Sequence, residues 1–273
     1  MTARLERTVI YVVLAVFSAV VLLPLVNILT IALQEPGSTV TGLSFPTALH
    51  VENFVRAWEV GGFADLMSSS AIVAVVVVPV ATLLSILSGY AFGTMRFRGS
   101  TALFYLFLIG LVMPFEATVV PLYYDLRSLG LTDTYWALIL PEIALSVSFG
   151  TFWMRAFFLS SPRSLLEAAR IDGASSWTAL WRVLLPTARP AISTLATLFF
   201  LWSWNEFLLA LVLIQDPALR TAPAGLGLFV GERTVDVAGL SAGALLVTLP
   251  VIAVYLFTQR HFIRGMLEGS VKG

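Results

Sequence analysis

Six stretches of this chain are apolar over about the length a helix needs to cross a bilayer, roughly 20 residues: 8–33, 68–94, 101–124, 134–160, 190–214 and 240–262. Apolar residues make up 58% of the 273 and charged residues 12%, about half the charged share of an ordinary soluble domain. With a mean hydropathy of +0.91, there is too little polar surface to wrap a globule of this size in water. That excludes an ordinary soluble enzyme, a disordered chain and a nucleic-acid binder built on a basic patch. Inside lipid each backbone N–H and C=O must be satisfied within the protein, and stretches of this length achieve it as helices. The expectation is an all-α polytopic membrane protein, a single transmembrane domain over residues 1–273 with six transmembrane helices.

The first stretch begins behind Arg4 and Arg7, runs too long for a signal-peptide core and has no convincing small-residue cleavage site. It reads as a retained anchor. Basic residues concentrate in cytoplasmic segments. Placing the N-terminus inside puts Arg4, Arg7, Arg96, Arg98, Arg155, Arg163, Arg170, Arg182, Arg189, Arg260, Arg264 and Lys272 on inner segments, against only Arg56, Arg127, Arg220 and Arg233 outside. Acidic residues lean outward, with Glu35, Glu52, Glu59, Asp65, Asp125, Asp133, Asp216, Glu232 and Asp236 there. Both termini are then cytoplasmic. With no cysteine and only His50 and His261, disulfides, thiolate sites and a typical zinc site are ruled out.

Within the spans, Pro24, Pro79, Pro114, Pro121, Pro141 and Pro250 read as kinks, tolerated where neighbours satisfy the freed carbonyls. Ser85, Gly89 and Gly93 form a stripe of small residues that lets another helix approach closely. The turn at 95–100 is so short that the second and third spans must be antiparallel neighbours. The longer outer loop over 34–67, with Phe45, Phe54, Trp58 and Phe63 at intervals, suits an interfacial segment, a surface that receives a partner, or a plain amphipathic connector.

Residues 161–189, between the fourth and fifth spans, make the one substantial cytoplasmic segment. Ser161-Pro162 is a good helix start, and Ser164 with Glu167 three residues on fits a capping box. Leu165, Leu166, Ala168, Ala169 and Ile171 give a short, partly apolar helix that Gly173 ends, a residue able to take the left-handed conformation. Ser175-Ser176 restarts a helix carrying Trp177, Leu180, Trp181, Leu184 and Leu185, which Pro186 stops. Two tryptophans and a run of leucines must pack on the chain's own spans, on lipid or on another protein.

Glu167-Ala168-Ala169, three residues, Gly173, nine residues, then Val183-Leu184-Leu185-Pro186 resembles the cytoplasmic EAA loop of ABC importer permeases, with Val183 where that family writes Ile. Tyr90-Ala91-Phe92 ahead of Arg96-Phe97-Arg98-Gly99, the run Trp204-Asn205-Glu206-Phe207, and the tail with Gly265, Gly269 and Val271-Lys272-Gly273 resemble the carbohydrate branch, the group of the maltose-system G-type permeases. The resemblance covers nearly the whole chain. It implies a permease of the type I importer fold in a bacterial or archaeal plasma membrane, working with a sister permease, two cytoplasmic ATPase subunits and an extracytoplasmic solute-binding protein. It implies no enzyme and no cofactor in this chain, ATP and Mg being used by the partner ATPase; no G-x-x-x-x-G-K-[ST] phosphate loop occurs in the sequence. Glu167, Ala168, Ala169, Asp172 and Gly173 would form a coupling helix seated on the ATPase. Glu167 would be its charged anchor, Ala168 and Ala169 close-packing contacts, and Gly173 the turn; the plain alternative is that Glu167 only caps its own helix.

Charged residues inside spans are expensive and point to function. Glu116, Glu142 and Glu206 all fall beyond the midpoint toward the outside, where they can face one cavity. Carboxylates and Asn205 suit the hydroxyls of a sugar, and Trp202 or Trp204 could stack on its apolar face. Otherwise Glu206 pairs with the sister subunit, and a protonated Glu142 bonds a carbonyl freed by Pro141. The expected function is inward translocation of a sugar or sugar-like solute by alternating access. Glycerol phosphate or a polyol is the alternative cargo, and an ion-coupled secondary transporter the alternative class. A phosphorylated cargo favours basic residues in the pathway, and the only arginines inside the assigned spans are Arg155 and Arg260, both near inner ends. A secondary carrier often shows an internal repeat, which this sequence lacks, and it has no use for the segment from Glu167 to Pro186.

Overall fold

The computed structural model describes residues 2–230 and 235–270, and every regular element among them is a helix. Glu232 and Arg233 of the charge pattern and the closing Val271-Lys272-Gly273 lie outside the described residues. Five helices are long and apolar enough to cross a membrane: Arg4–Ala32, Phe63–Thr94, Trp136–Ser160, Ser176–Trp204 and Val237–Gln259. A further pair, Ser100–Val112 followed by Phe115–Ser128, is apolar and long enough only when its two bent halves are taken together. The chain divides into two compact units, Met1–Asp65 with Gly225–Leu249, and Leu66–Ala224 with Pro250–Gly273.

The first unit contains α1 (Thr2–Ala32), α2 (Glu52–Val60) and the start of α12 (Val237–Ser270). From Leu5 to Leu29, the large apolar side chains of α1 are exposed, as suits a helix apolar all round that belongs in lipid. Only its end is packed, with Ala32, Ala57 and Ala242 meeting beside Phe54, Phe229, Leu245 and Leu246. The Asn53 side-chain amide donates to the Ala32 and Gln34 carbonyls at 2.9 and 2.7 Å, satisfying the end of α1. Asp236 accepts the Gly239 amide at 2.9 Å, capping the start of α12, and pairs with Arg56 of α2. Of the outer-loop aromatics, Phe63 is buried against Phe229, while Phe45 and Trp58 stay exposed.

In the second unit, α3 (Phe63–Thr94) packs on α6 (Trp136–Ser160) along the small-residue stripe. A Cβ on Gly89 would meet Met154 and the Arg155 amide, one on Gly93 would meet Phe158, and one on Gly150 would meet Ser85. Residues four apart on one helix thus meet residues four apart on the other. The Ser88 and Thr151 hydroxyls close the contact at 2.6 Å. Between these helices lie α4 (Ser100–Val112) and α5 (Phe115–Ser128). The third span was expected to be continuous over 101–124; instead it turns through 100° between α4 and α5. Pro114 lacks an amide hydrogen and is extended at ψ 113, so the helix stops and restarts.

After α6 come α7 (Arg163–Ile171), α8 (Ser176–Thr178), a π-helical turn over Ala179–Leu184, α9 (Leu185–Trp204), α10 (Leu208–Leu213) and the short α11 (Ala222–Gly225). Pro186 does not stop the second helix of the 161–189 segment; the helix runs unbroken from Ser176 to Trp204. In the π-helical turn before Pro186 each amide reaches one residue further back, as Leu185 does to the Leu180 carbonyl. That register change lets a residue without an N–H pass through the ladder. The fifth span therefore begins well before residue 190, inside what reads in sequence as loop, and breaks at Asn205-Glu206-Phe207 instead of running on to 214.

Candidate functional site

The 161–189 segment has a rooted half and a free half. Leu180, Leu184 and Ala188 are buried with Ile86, Tyr90, Met154, Phe158, Leu195 and Phe199. The Tyr90 hydroxyl donates to the Ser176 carbonyl at 3.0 Å, and Ser175 caps the helix by accepting the Thr178 amide. The free half is α7. It starts at Arg163 with Pro162 at the cap and no side-chain capping bond, so the Ser164–Glu167 box does not form. At its other end the Ala174 amide reaches the Ala169 carbonyl at 2.8 Å and the Gly173 amide the Arg170 carbonyl at 3.0 Å. With Gly173 at φ 78°, these are the two bonds of a Schellman turn.

Within α7, Leu166 and Ala169 turn inward; Ala169 is 6% exposed. Glu167, Ala168, Arg170 and Asp172 face out, with Ile171 86% exposed and Trp177 beyond the turn 62% exposed. Glu167 makes no hydrogen bond or ion pair among the described residues. Beside it a cleft of about 700 Å³ is lined by Thr94, Arg96, Ser161, Arg163, Glu167 and Arg170 among others. Ala169 was expected on the docking face with Ala168. The helical period turns it about 100° from Ala168, onto the side of Leu166, where it is buried.

The carboxylates expected along a pathway fall on breaks in the spans. Glu116 is exposed in the first turn of α5, just past the 100° bend. Glu206 sits at the break between α9 and α10, where its carboxylate accepts the Leu209 amide at 2.8 Å and so caps α10. Asn205 ends α9 and donates to the Leu201 carbonyl at 2.7 Å. Glu142, inside α6, is 6% exposed and both its oxygens lack a hydrogen-bond partner, as does the buried Ser203 hydroxyl. Ser203 and Glu206 are the polar groups whose charge and dipole Glu142 feels. Glu206 is thus near enough to Glu142 to act on it electrostatically, and Glu116 makes no ion pair or hydrogen bond with either among the described residues. Trp202 is partly exposed, edge-on to Phe149 at 5.0 Å; Trp204 is buried, stacked on Phe200.

Non-helical backbone at membrane depth is tolerated where it is buried in protein or lines a water-filled cavity, and the described helices break at 113–114 and 205–207. The sequence signals were present as Met113-Pro114 and Asn205. A residue missed in sequence is Ser203, one helical turn before Phe207, whose only signal was a hydroxyl in an aromatic run.

The family model for binding-protein-dependent transport system inner membrane components matches residues 59–268. The probable ABC transporter permease protein YurM of Bacillus subtilis is 38% identical to this chain over 230 residues, covering 84% of this chain and 76% of its own. The arabinooligosaccharides transport system permease protein AraQ of Halalkalibacterium halodurans is 34% identical, covering 84% of this chain and 81% of its own. Among solved structures, a chain of a bacterial ABC transporter involved in the import of the acidic polysaccharide alginate matches with a TM-score of 0.79 at 23% identity, over 96% of this chain and 98% of its own. That last likeness is one of fold.

Proposed function

The chain belongs to the family of binding-protein-dependent transport system inner membrane components, and on that premise we propose that it is one permease subunit of an ATP-driven importer that moves a sugar or sugar-like solute inward by alternating access. It works beside a sister permease, two ATPase subunits that use ATP and Mg, and an extracytoplasmic binding protein. It contributes one transmembrane permease domain, carries no cofactor of its own, and has both termini in the cytoplasm of a bacterial or archaeal cell.

One observation carries this reading: α7 is a short helix with an unpaired outer face, fixed at its base to the spans. Such a helix is a lever. Glu167, Ala168 and Asp172 seat it on an ATPase subunit, Ile171 and Trp177 fill that subunit's apolar surface, and the Schellman turn at Gly173 passes motion to Leu180 and Leu184 in the core. When ATP closes the ATPase dimer, the lever moves and the spans rock as rigid bodies. At the other end of the path Glu142, Glu206, Asn205 and Trp202 receive the solute, with Glu116 at the second break. Carboxylates accept hydrogen bonds from sugar hydroxyls, and similarity to an arabinooligosaccharide permease supports an oligosaccharide-like cargo.

The test is a pull-down of tagged chain in mild detergent. Wild type should retain an ATPase and a second permease; Glu167→Arg should keep the permease and lose the ATPase. A wild type that is folded and monodisperse but retains no ATPase would overturn the reading.

A further inference from the structure

Arg155 lies within the spanning helix α6, half-buried, and makes no hydrogen bond or ion pair among the described residues. Its guanidinium sits 4.1 Å above the ring of Phe104. It lines a pocket of about 240 Å³ together with Phe92, Ser100, Thr101, Tyr105 and others. The side chains of Ser100, Thr101 and Tyr105 line the same space and form no hydrogen bond among the described residues. An arginine carries five donors and a fixed charge, and at membrane depth such a group normally faces a partner. Here four polar side chains that make no hydrogen bond or ion pair among the described residues line one small space.

That pocket does not end in polar surface. An apolar groove of about 490 Å³ shares Tyr105 and Leu108 with it and is lined further by Ile109, Val112, Met113 and Pro114. Both spaces lie along α4, a 13-residue helix with no buried residue. At 1.5 Å per residue α4 is about 20 Å long, close to one leaflet with its headgroup layer, half of about 40–45 Å. The apolar part stops at the 100° bend, about where a leaflet stops.

We propose that this groove binds one anionic phospholipid of the cytoplasmic leaflet, its phosphate on Arg155, Ser100 and Thr101 and one acyl chain along α4 to the bend at Met113-Pro114. The proposal takes its orientation from the importer reading above. Arg96 and Arg98 on the adjoining turn add positive field and select an anionic headgroup. The bound lipid braces α4, which packs against α6 but buries no side chain of its own.

Native mass spectrometry on the purified full complex tests this, after exchange into mild detergent with phosphatidylglycerol, phosphatidylcholine or inorganic phosphate as the probe. One phosphatidylglycerol per chain should stay bound. Arg155→Gln should cut its retention about tenfold, the loss of one charge-assisted contact. Leu108→Trp, which fills the apolar groove and leaves the charges alone, should do the same, so the result does not depend on one variant folding. Equal retention of phosphatidylcholine overturns the proposal, as does displacement by inorganic phosphate at equal concentration, or retention indifferent to both substitutions. A Tyr105→Cys variant that cross-links to the sister permease in membranes also overturns it, because protein then fills the groove. ATPase co-purification is scored in the same samples. If it is missing from wild type while the lipid stays bound, the importer reading fails and the lipid site does not.

Discussion

Among the described residues Glu167 and Glu142 are two carboxyl groups whose side chains have no hydrogen-bond partner, and they lack one in opposite surroundings. Glu167 stands on the open side of α7, in water, where an unpaired charge costs little. Glu142 is buried in α6 beside Ser203 and Glu206, where an unsatisfied polar group costs about 1–3 kcal/mol. An exposed unpaired carboxylate on a rooted lever is free to meet a partner protein. A buried one is a standing cost that a solute hydroxyl could relieve. On the proposed function the comparison separates two kinds of site in one chain: α7 would act by being seen from outside, Glu142 and Glu206 by being entered.

The largest effect should come from breaking the buried member. Glu142→Leu removes the unsatisfied carboxylate and should raise thermal stability in detergent by about 1–3 kcal/mol. The same change should lower solute-stimulated ATP hydrolysis about fivefold, the worth of one hydrogen bond. Glu167→Leu should leave the melting curve in place and uncouple ATP hydrolysis from solute. If Glu142→Leu destabilises the chain, the carboxylate has a structural partner and the contrast fails.

Next in size is Gly173→Val. A β-branched residue at φ 78° costs about 1–2 kcal/mol, loosening the turn between lever and core. Hydrogen exchange should speed up over 163–174 and stay unchanged over 180–200, with Gly173→Asn recovering most of the protection. Smaller again is Glu206→Ala, which deletes the bond to the Leu209 amide and should cost about 1 kcal/mol, as loss of a helix cap does. Glu206→Gln keeps an acceptor and should restore the melting temperature. If Gln also restores transport, Glu206 is a cap alone and belongs with neither class.

What could be read in sequence divides along the same line. The lever was legible because its signals are local: Gly173 takes the positive φ only glycine adopts freely, and Ser175 caps the helix that follows. Even there, reading Glu167-Ala168-Ala169 as a block hid what the 3.6-residue period states, that Ala169 shares a side with Leu166. The small-residue stripe was legible for the same local reason. The break after α4 was not, because Pro114 is the same residue as Pro79, Pro141 and Pro250, through which α3, α6 and α12 continue. Whether a proline kinks a helix or ends it depends on the neighbours that receive its freed carbonyl. Pro186 shows the converse, a stop signal absorbed by one π-helical turn. Pairing Glu142 with Glu206 across 64 positions needs the register of α6 against α9, which no local pattern encodes.

The smallest effect concerns a carboxylate of a third kind, exposed but paired. Glu52, at the start of α2, accepts a 2.6 Å contact from His50 Nδ1, and its carboxyl is held below the usual carboxylate range by that bond first and its own amide second. A carboxyl with a lowered folded value adds stability above its unfolded pKa, and loses it as pH falls through the folded one. The window therefore lies below 4.5, the ordinary value. Melting curves of wild type and Glu52→Gln should differ slightly at pH 6 and converge as the pH falls below 4. The pair is open to solvent, so salt should shrink the difference. A gap that persists at low pH would mean that His50 holds the chain by packing, and that pairing at the surface adds as little here as the unpaired Glu167 subtracts.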